Sequence, residues 1–138
     1  MIVLDTNVLS ELIRPQPELK VVAWLRGQAR SRLFTTAISR GEMLFGVLLL
    51  PLGERRRRLQ QEVQAIFDHD MGGRVLPYDG DAADAHAMFA AERRAQGCPV
   101  GMPDAMIAGI ARSRGAALAT RNVRDFEGCG VTLIDPWH

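Results

Sequence analysis

Ile2-Val3-Leu4-Asp5-Thr6-Asn7-Val8-Leu9, residues 2–9, sets an acid between a short apolar run and the start of a helical pattern. A run of β-branched and aliphatic residues reads as a buried strand, so Asp5 emerges at its carboxyl end, where open α/β sheets hold their ligands. Val8, Leu9, Leu12 and Ile13 then share one helical face, which Pro15 and Pro17 bring to an end. Working outward, strand-like runs recur at Leu33–Thr35, Val75–Leu76, Ala116–Ala119 and Val131–Ile134. Helical patterns fill the intervals at Leu19–Leu25, Ser39–Leu50, Glu54–Phe67 and Asp81–Arg94, and Pro103 opens another through Ala105–Ser113. This alternation predicts an α/β fold with a central parallel sheet of about five strands and helices on both faces.

The chain of 138 residues fits a single domain over residues 1–138, with ordinary apolar content and no low-complexity segment. Asp5, Asn7 and Glu11 interrupt the N-terminal apolar stretch before a signal-peptide core forms. The longest apolar run, Val47–Leu50 ahead of Pro51, is far shorter than the roughly 20 residues of a membrane span. A cytoplasmic protein with no membrane association is expected, with Cys98 and Cys129 as reduced thiols. The net charge of +1 does not announce a nucleic-acid binder, yet Lys20 is the sole lysine among 17 basic residues. Arginine suits bidentate phosphate contact, although a GC-rich genome produces the same bias.

Three later acids, Glu42, Asp104 and Asp125, repeat the placement of Asp5 just past a strand or near the start of a helix or turn. Each has a plainer account. Asp5 caps the helix that follows. Ser39-x-x-Glu42 matches a capping box. Asp104 complements a helix dipole, and Asp125 is an ordinary turn residue. Taken jointly they converge, because helix N-termini that follow parallel strands point to one sheet edge. Carboxylates gathered there repel one another unless a divalent cation sits among them, and oxygen ligands suit Mg²⁺ or Mn²⁺ rather than zinc. Such clusters hydrolyse phosphodiesters with one metal, or two about 3.5–4 Å apart. A phosphoacceptor role for Asp5 needs a late lysine, and Lys20 lies early.

Leu4-Asp5-Thr6-Asn7, Ile38-Ser39-x-x-Glu42, Pro103-Asp104-Ala105-x-Ile107-Ala108 and Ala119-Thr120-Arg121-Asn122-x-x-Asp125-Phe126 resemble the acidic motifs of PIN-domain nucleases. The length and the closing Asp135-Pro136-Trp137-His138 are similar to VapC toxins of the FitB-like branch. The resemblance implies a PIN-like three-layer sandwich and a Mg²⁺-dependent endoribonuclease, with Mn²⁺ as a substitute. It implies the toxin component of a type II toxin–antitoxin system, leaving 3′-hydroxyl and 5′-phosphate ends. Asp5, Glu42, Asp104 and Asp125 are then the catalytic acids, Asp5 and Asp104 the principal metal ligands and Glu42 a third ligand or water-positioning acid. Thr6, Thr120 and Asn122 support them. Many relatives carry an acid at the position of Asn122; here the acid is Asp125. A catalytically weak RNA- or partner-binding module is the alternative. Implied partners are the RNA substrate, a cognate antitoxin in a hetero-oligomer, and a second copy in a homodimer; DNA is reached only through the antitoxin.

Arg112, Arg114, Arg121 and Arg124 flank the strand ending in Thr120 and are the candidates for phosphate contact. Arg55–Arg58 point around most of a helix and read as a solvated face. His86 reads as a packing residue, and Trp24 and Trp137 as core or interface anchors rather than base-stacking platforms. Leu44, Phe45, Val47, Leu48, Leu49 and Leu50 exceed one helical stripe, so that helix is expected to meet a second copy or an antitoxin.

Overall fold

The computed structural model, covering residues 1–138, has strands β1 (Ile2–Leu4), β2 (Leu33–Thr36), β3 (Val75–Leu76), β4 (Ala117–Ala119) and β5 (Leu133–Ile134). They form one sheet in the order β3-β2-β1-β4-β5, and every neighbouring pair is parallel. β1 is central and wholly buried, with Val3 opposite Phe34 on one side and Leu118 on the other. The helices are α1 (Thr6–Leu12), α2 (Leu19–Arg26), α3 (Ala37–Leu48), α4 (Glu54–Ala65), α5 (Gly80–Ala95) and α6 (Met102–Ser113).

The side-chain alternation of β1 divides the core into two. Ile2 and Leu4 point to a cluster with Val8 and Leu9 of α1, Val21 of α2, Met43 and Val47 of α3 and Val63 of α4. Val3 points the other way, to Phe89 of α5, Ile107 and Ile110 of α6, Leu118 and Phe126. A sheet between two helical layers results, as the alternating pattern requires. α5 and α6 cross closely at Gly109, where a Cβ would stand 2.9 Å from the His86 backbone nitrogen. No helix is long and apolar enough to cross a membrane. Cys98 is exposed, Cys129 is buried, and neither is bonded.

Element boundaries differ from the sequence reading in ways that have local causes. α3 begins at Ala37 rather than Ser39, because the Thr36 hydroxyl caps it by accepting from the Ser39 N–H at 3.1 Å. The capping box at Ser39 is therefore absent, and Glu42 is free of that duty. α4 ends at Ala65 and continues as a π-helical turn over Ile66–Asp70, which folds Ile66 and Phe67 into the core. Pro103 lies in the first turn of α6, behind Gly101 at the N-cap. β5 starts at Leu133, later than the apolar run from Val131 suggested.

Candidate active site

The strand order places the reversal of connectivity between β1 and β4: the chain leaves β1 for β2 on one side and later returns to β4 on the other. A crevice opens at the carboxyl ends of strands at such a point. Asp5 follows β1 there and Thr120 follows β4. Asp5 is 4% exposed, and each of its oxygens accepts a hydrogen bond. Oδ1 accepts from the Thr6 N–H at 2.8 Å, so the residue does cap α1. Oδ2 accepts from the Thr120 hydroxyl at 2.7 Å and from the Asn7 amide at 3.4 Å. The cap and the site are one arrangement.

Glu42 reaches the same crevice from α3 through a relay of hydroxyls. The Thr6 hydroxyl lies 2.7 Å from Glu42 Oε1 and 2.9 Å from Ser39 Oγ. A threonine has one proton, and an ionised carboxylate only accepts, so Thr6 donates to Glu42 and accepts from Ser39. Thr36 stands 3.4 Å behind Ser39 in the same chain. Asp104, in the first turn of α6, completes the set: Asp5, Glu42 and Asp104 line a single cavity of about 430 Å³.

None of Asp5, Glu42 and Asp104 forms an ion pair. Burial raises the Asp5 carboxyl above its ordinary value, opposed by the bonds from Thr120 and Thr6 and reinforced by the charges of Glu42 and Asp125. Asp104 is pushed up to about 6, first by burial and then by Asp5, Asp125 and Glu42. Hard carboxylate oxygens that repel one another fit a divalent cation. No three acidic, histidine or cysteine side chains are drawn close enough to wrap an ion by themselves.

Not every residue proposed from sequence lies here. Asn122 lines the cavity, and its N–H donates to the Thr120 hydroxyl at 3.1 Å. Asp125 does not; it is exposed and lines an adjoining cavity with Arg121 and Arg124, although its charge is felt by both Asp5 and Asp104. Arg121 borders both cavities. Arg112 and Arg114 are misplaced for phosphate contact at this edge. They end α6, about 12 and 15 Å along its axis from Asp104. Arg112 lies against Gly130, and Arg114 pairs with Asp79 at 3.7 Å. Arg55, Arg57 and Arg58 are exposed on α4, as a solvated face requires, and the His86 Nδ1 sits 2.7 Å from the Tyr78 hydroxyl.

Several contributors went unassigned in the sequence. Asn7 joins β1 to the loop after β4, with its amide towards Asp5 and Thr120 and its carbonyl accepting the Arg121 N–H at 3.3 Å. Its signal was its place in the Asp5-Thr6-Asn7 motif. Glu11 is buried and borders the cavity together with Arg14, which it holds through both oxygens at 3.1 Å. Burial opposes ionisation of Glu11, but the Glu18 N–H, Arg14 and Arg121 outweigh it and hold the carboxyl below its usual range. Trp137 also lines the cavity, with Arg121 5.2 Å from its ring centroid. Nothing in the sequence alone brings the C-terminus to this edge.

The profile of the PIN domain family matches residues 2–128. A VapC ribonuclease of Sinorhizobium fredii is 39% identical over 137 residues, covering 99% of this chain and 98% of the relative. The toxin FitB of Neisseria gonorrhoeae is 35% identical over 142 residues, covering 100% of this chain and 99% of the relative. A solved structure of FitAB bound to a DNA fragment superposes with a TM-score of 0.92 at 35% identity, over 100% of this chain and 96% of that one.

Proposed function

Since the chain belongs to the PIN-domain family, in its branch of VapC ribonucleases and FitB toxins, we propose that it is a Mg²⁺-dependent endoribonuclease and the toxin half of a toxin–antitoxin pair. The observation that carries this reading is the convergence of Asp5, Glu42 and Asp104, from three separate elements, on one cavity at the switch point of the sheet. Asp5 and Asp104 would hold the cation, and Glu42 lines the same cavity. When bound, the ion supplies Lewis acidity to a phosphoryl oxygen and to water.

The chain's own residues do the rest. Thr120 and Asn7 fix the Asp5 carboxylate in one orientation. Thr6 engages Glu42 Oε1, which leaves Oε2 to receive a proton from the attacking water. Arg14 and Arg121, bordering an otherwise acidic cavity, receive the phosphates of the strand. An antitoxin supplies the DNA contact of the complex, because this chain has a net charge of only +1 and an acidic edge. A solved relative is likewise found as the FitAB complex bound to a DNA fragment.

Asp5→Asn preserves the shape of the site while removing its charge. It should abolish Mg²⁺-dependent cleavage of a panel of structured RNAs and relieve growth inhibition on expression without the antitoxin. Cleavage at the parental rate would overturn the assignment. A second reading, a binding module of low activity, draws on one observation: neutral Asn122 lines the cavity and Asp125 does not. The same assay decides it, since a parent chain that binds these RNAs and leaves them intact in Mg²⁺ and Mn²⁺ is such a module.

A further inference from the structure

The acidic cavity has a single apolar wall. Of its 11 lining residues only Trp137 is hydrophobic; the others are acids, hydroxyls, amides and two arginines. The indole is held in place by its backbone. The Trp137 N–H donates to Asp135 Oδ1 at 2.9 Å, the His138 N–H donates to the Asp135 carbonyl at 3.2 Å, and Pro136 between them is buried. The ring rests beside the cluster of Ile2, Leu4 and Val8 while remaining half-buried. A packing role accounts for an aromatic covered on all sides, but not for one held at the wall of a hydrophilic cavity.

Arg121 supplies the second half of the argument. Its backbone N–H is tied to Asn7, yet its side chain is exposed, with the guanidinium 5.2 Å from the Trp137 ring centroid. That lies within the roughly 6 Å reach of a cation–π contact, which is weak at an exposed site, so an incoming base and phosphate can displace the guanidinium from the ring. An indole beside a displaceable arginine is the pairing that single-stranded nucleic acid uses: bases stack, and arginine takes the phosphate.

We propose that Trp137 and Arg121 form a nucleotide subsite beside the acidic cluster, in which one unpaired RNA base stacks on the indole and Arg121 binds the adjoining phosphate. The inference deepens the ribonuclease reading and rests on it. Stacking accepts any base, so the subsite selects unpaired RNA and fixes where the strand lies over the acids.

The chain has two tryptophans, so Trp24→Phe leaves Trp137 as the only indole. In the full chain carrying Trp24→Phe and Asp104→Asn, which the ribonuclease reading makes inactive, a short unstructured oligoribonucleotide should quench the emission. An abasic ribose-phosphate strand of equal length should not. Trp137→Ala should weaken oligoribonucleotide binding about tenfold and raise KM more than it lowers kcat, and Trp137→Phe should restore most of the loss. Arg121→Ala should reduce the salt dependence of binding. Equal quenching by the abasic strand, or parental affinity in Trp137→Ala, overturns the subsite. Parental RNA affinity in Trp137→Ala with loss of a co-expressed antitoxin gives the surface to the protein partner and also overturns it. Mg²⁺-dependent cleavage by the parent chain separates the two levels. Cleavage without base-dependent quenching overturns the subsite alone; neither binding nor cleavage overturns the ribonuclease reading with it.

Discussion

Asp104 and Asp5 both hold their protons more tightly in the folded chain than in the unfolded one, and Asp104 does so up to about pH 6. The contribution of Asp104 to stability is therefore full below the ordinary carboxylate value of 3.8 and is lost as pH rises through about 6, and that of Asp5 is lost in the same direction. Metal-free protein should show this as a fall in Tm between about pH 4 and pH 7 that Asp104→Asn flattens, and Mg²⁺ should recover it most at the upper end. A slope unchanged in Asp104→Asn would mean that other groups set it. Thr120 acts on the same pair by donating to Asp5 at 2.7 Å. A bond to a charged group is worth about 1.5–3 kcal/mol, so Thr120→Val should lower kcat/KM roughly 10- to 100-fold while Thr120→Ser retains most of it. Asp5, Asp104 and Thr120 were legible in sequence because each follows a strand or lies in the first turn of a helix, whereas Glu42, in the second turn of α3, was marked only by its spacing from Ser39. Trp137 was not, since its place depends on how β5 pairs with β4. Arg112 and Arg114 misled because nearness to Thr120 in sequence ignores the length of the helix between them and Asp104.

α3 shows why local motifs compete at the scale of an element. Thr36 and Ser39 are both good caps, and the sequence pattern favoured Ser39 with Glu42 three residues on. β2 extends to Thr36, whose extended backbone and buried hydroxyl take the N-cap, and Ser39 falls inside the helix. Glu42 is thereby released to meet Thr6. Thr36→Ala should cost about 1 kcal/mol and Thr36→Ser much less, because serine keeps the capping hydroxyl; urea midpoints of the two variants against the parent measure both. The contact of α5 with α6 is set by Gly109, whose added Cβ would collide with the Ala82 carbonyl oxygen and stand 2.9 Å from the His86 nitrogen. Backbone cannot yield as a side-chain end does. Gly109→Ala should destabilise by about 1–3 kcal/mol, despite alanine's better helix propensity, and calorimetry of parent and variant measures it.

For the whole molecule, the runs of apolar residues foretold five parallel strands, but not which strands neighbour β1, and it is that order which brings Asp5 beside Thr120. The surface retains one feature that a lone chain does not explain. Phe45, Leu49 and Leu52 are 64%, 69% and 86% exposed, and Leu48 is exposed beside them. Phe45 and Leu49 follow Glu42 by three and seven residues, so they continue its stripe along α3, about 4.5 and 10.5 Å further down the axis. A second copy seated on that stripe would stand next to the acidic cavity and would form one wall of a groove for RNA. The parent should then sediment as a dimer, and Phe45→Asp with Leu49→Asp as a monomer. Because the acids stay in place, the monomer should still cleave a short oligoribonucleotide, whereas a long RNA, which needs the groove, should show a KM raised about tenfold or more. A parent that sediments as a monomer, or a double variant whose KM rises equally on short and long RNA, would separate the stripe from the groove and return it to the antitoxin.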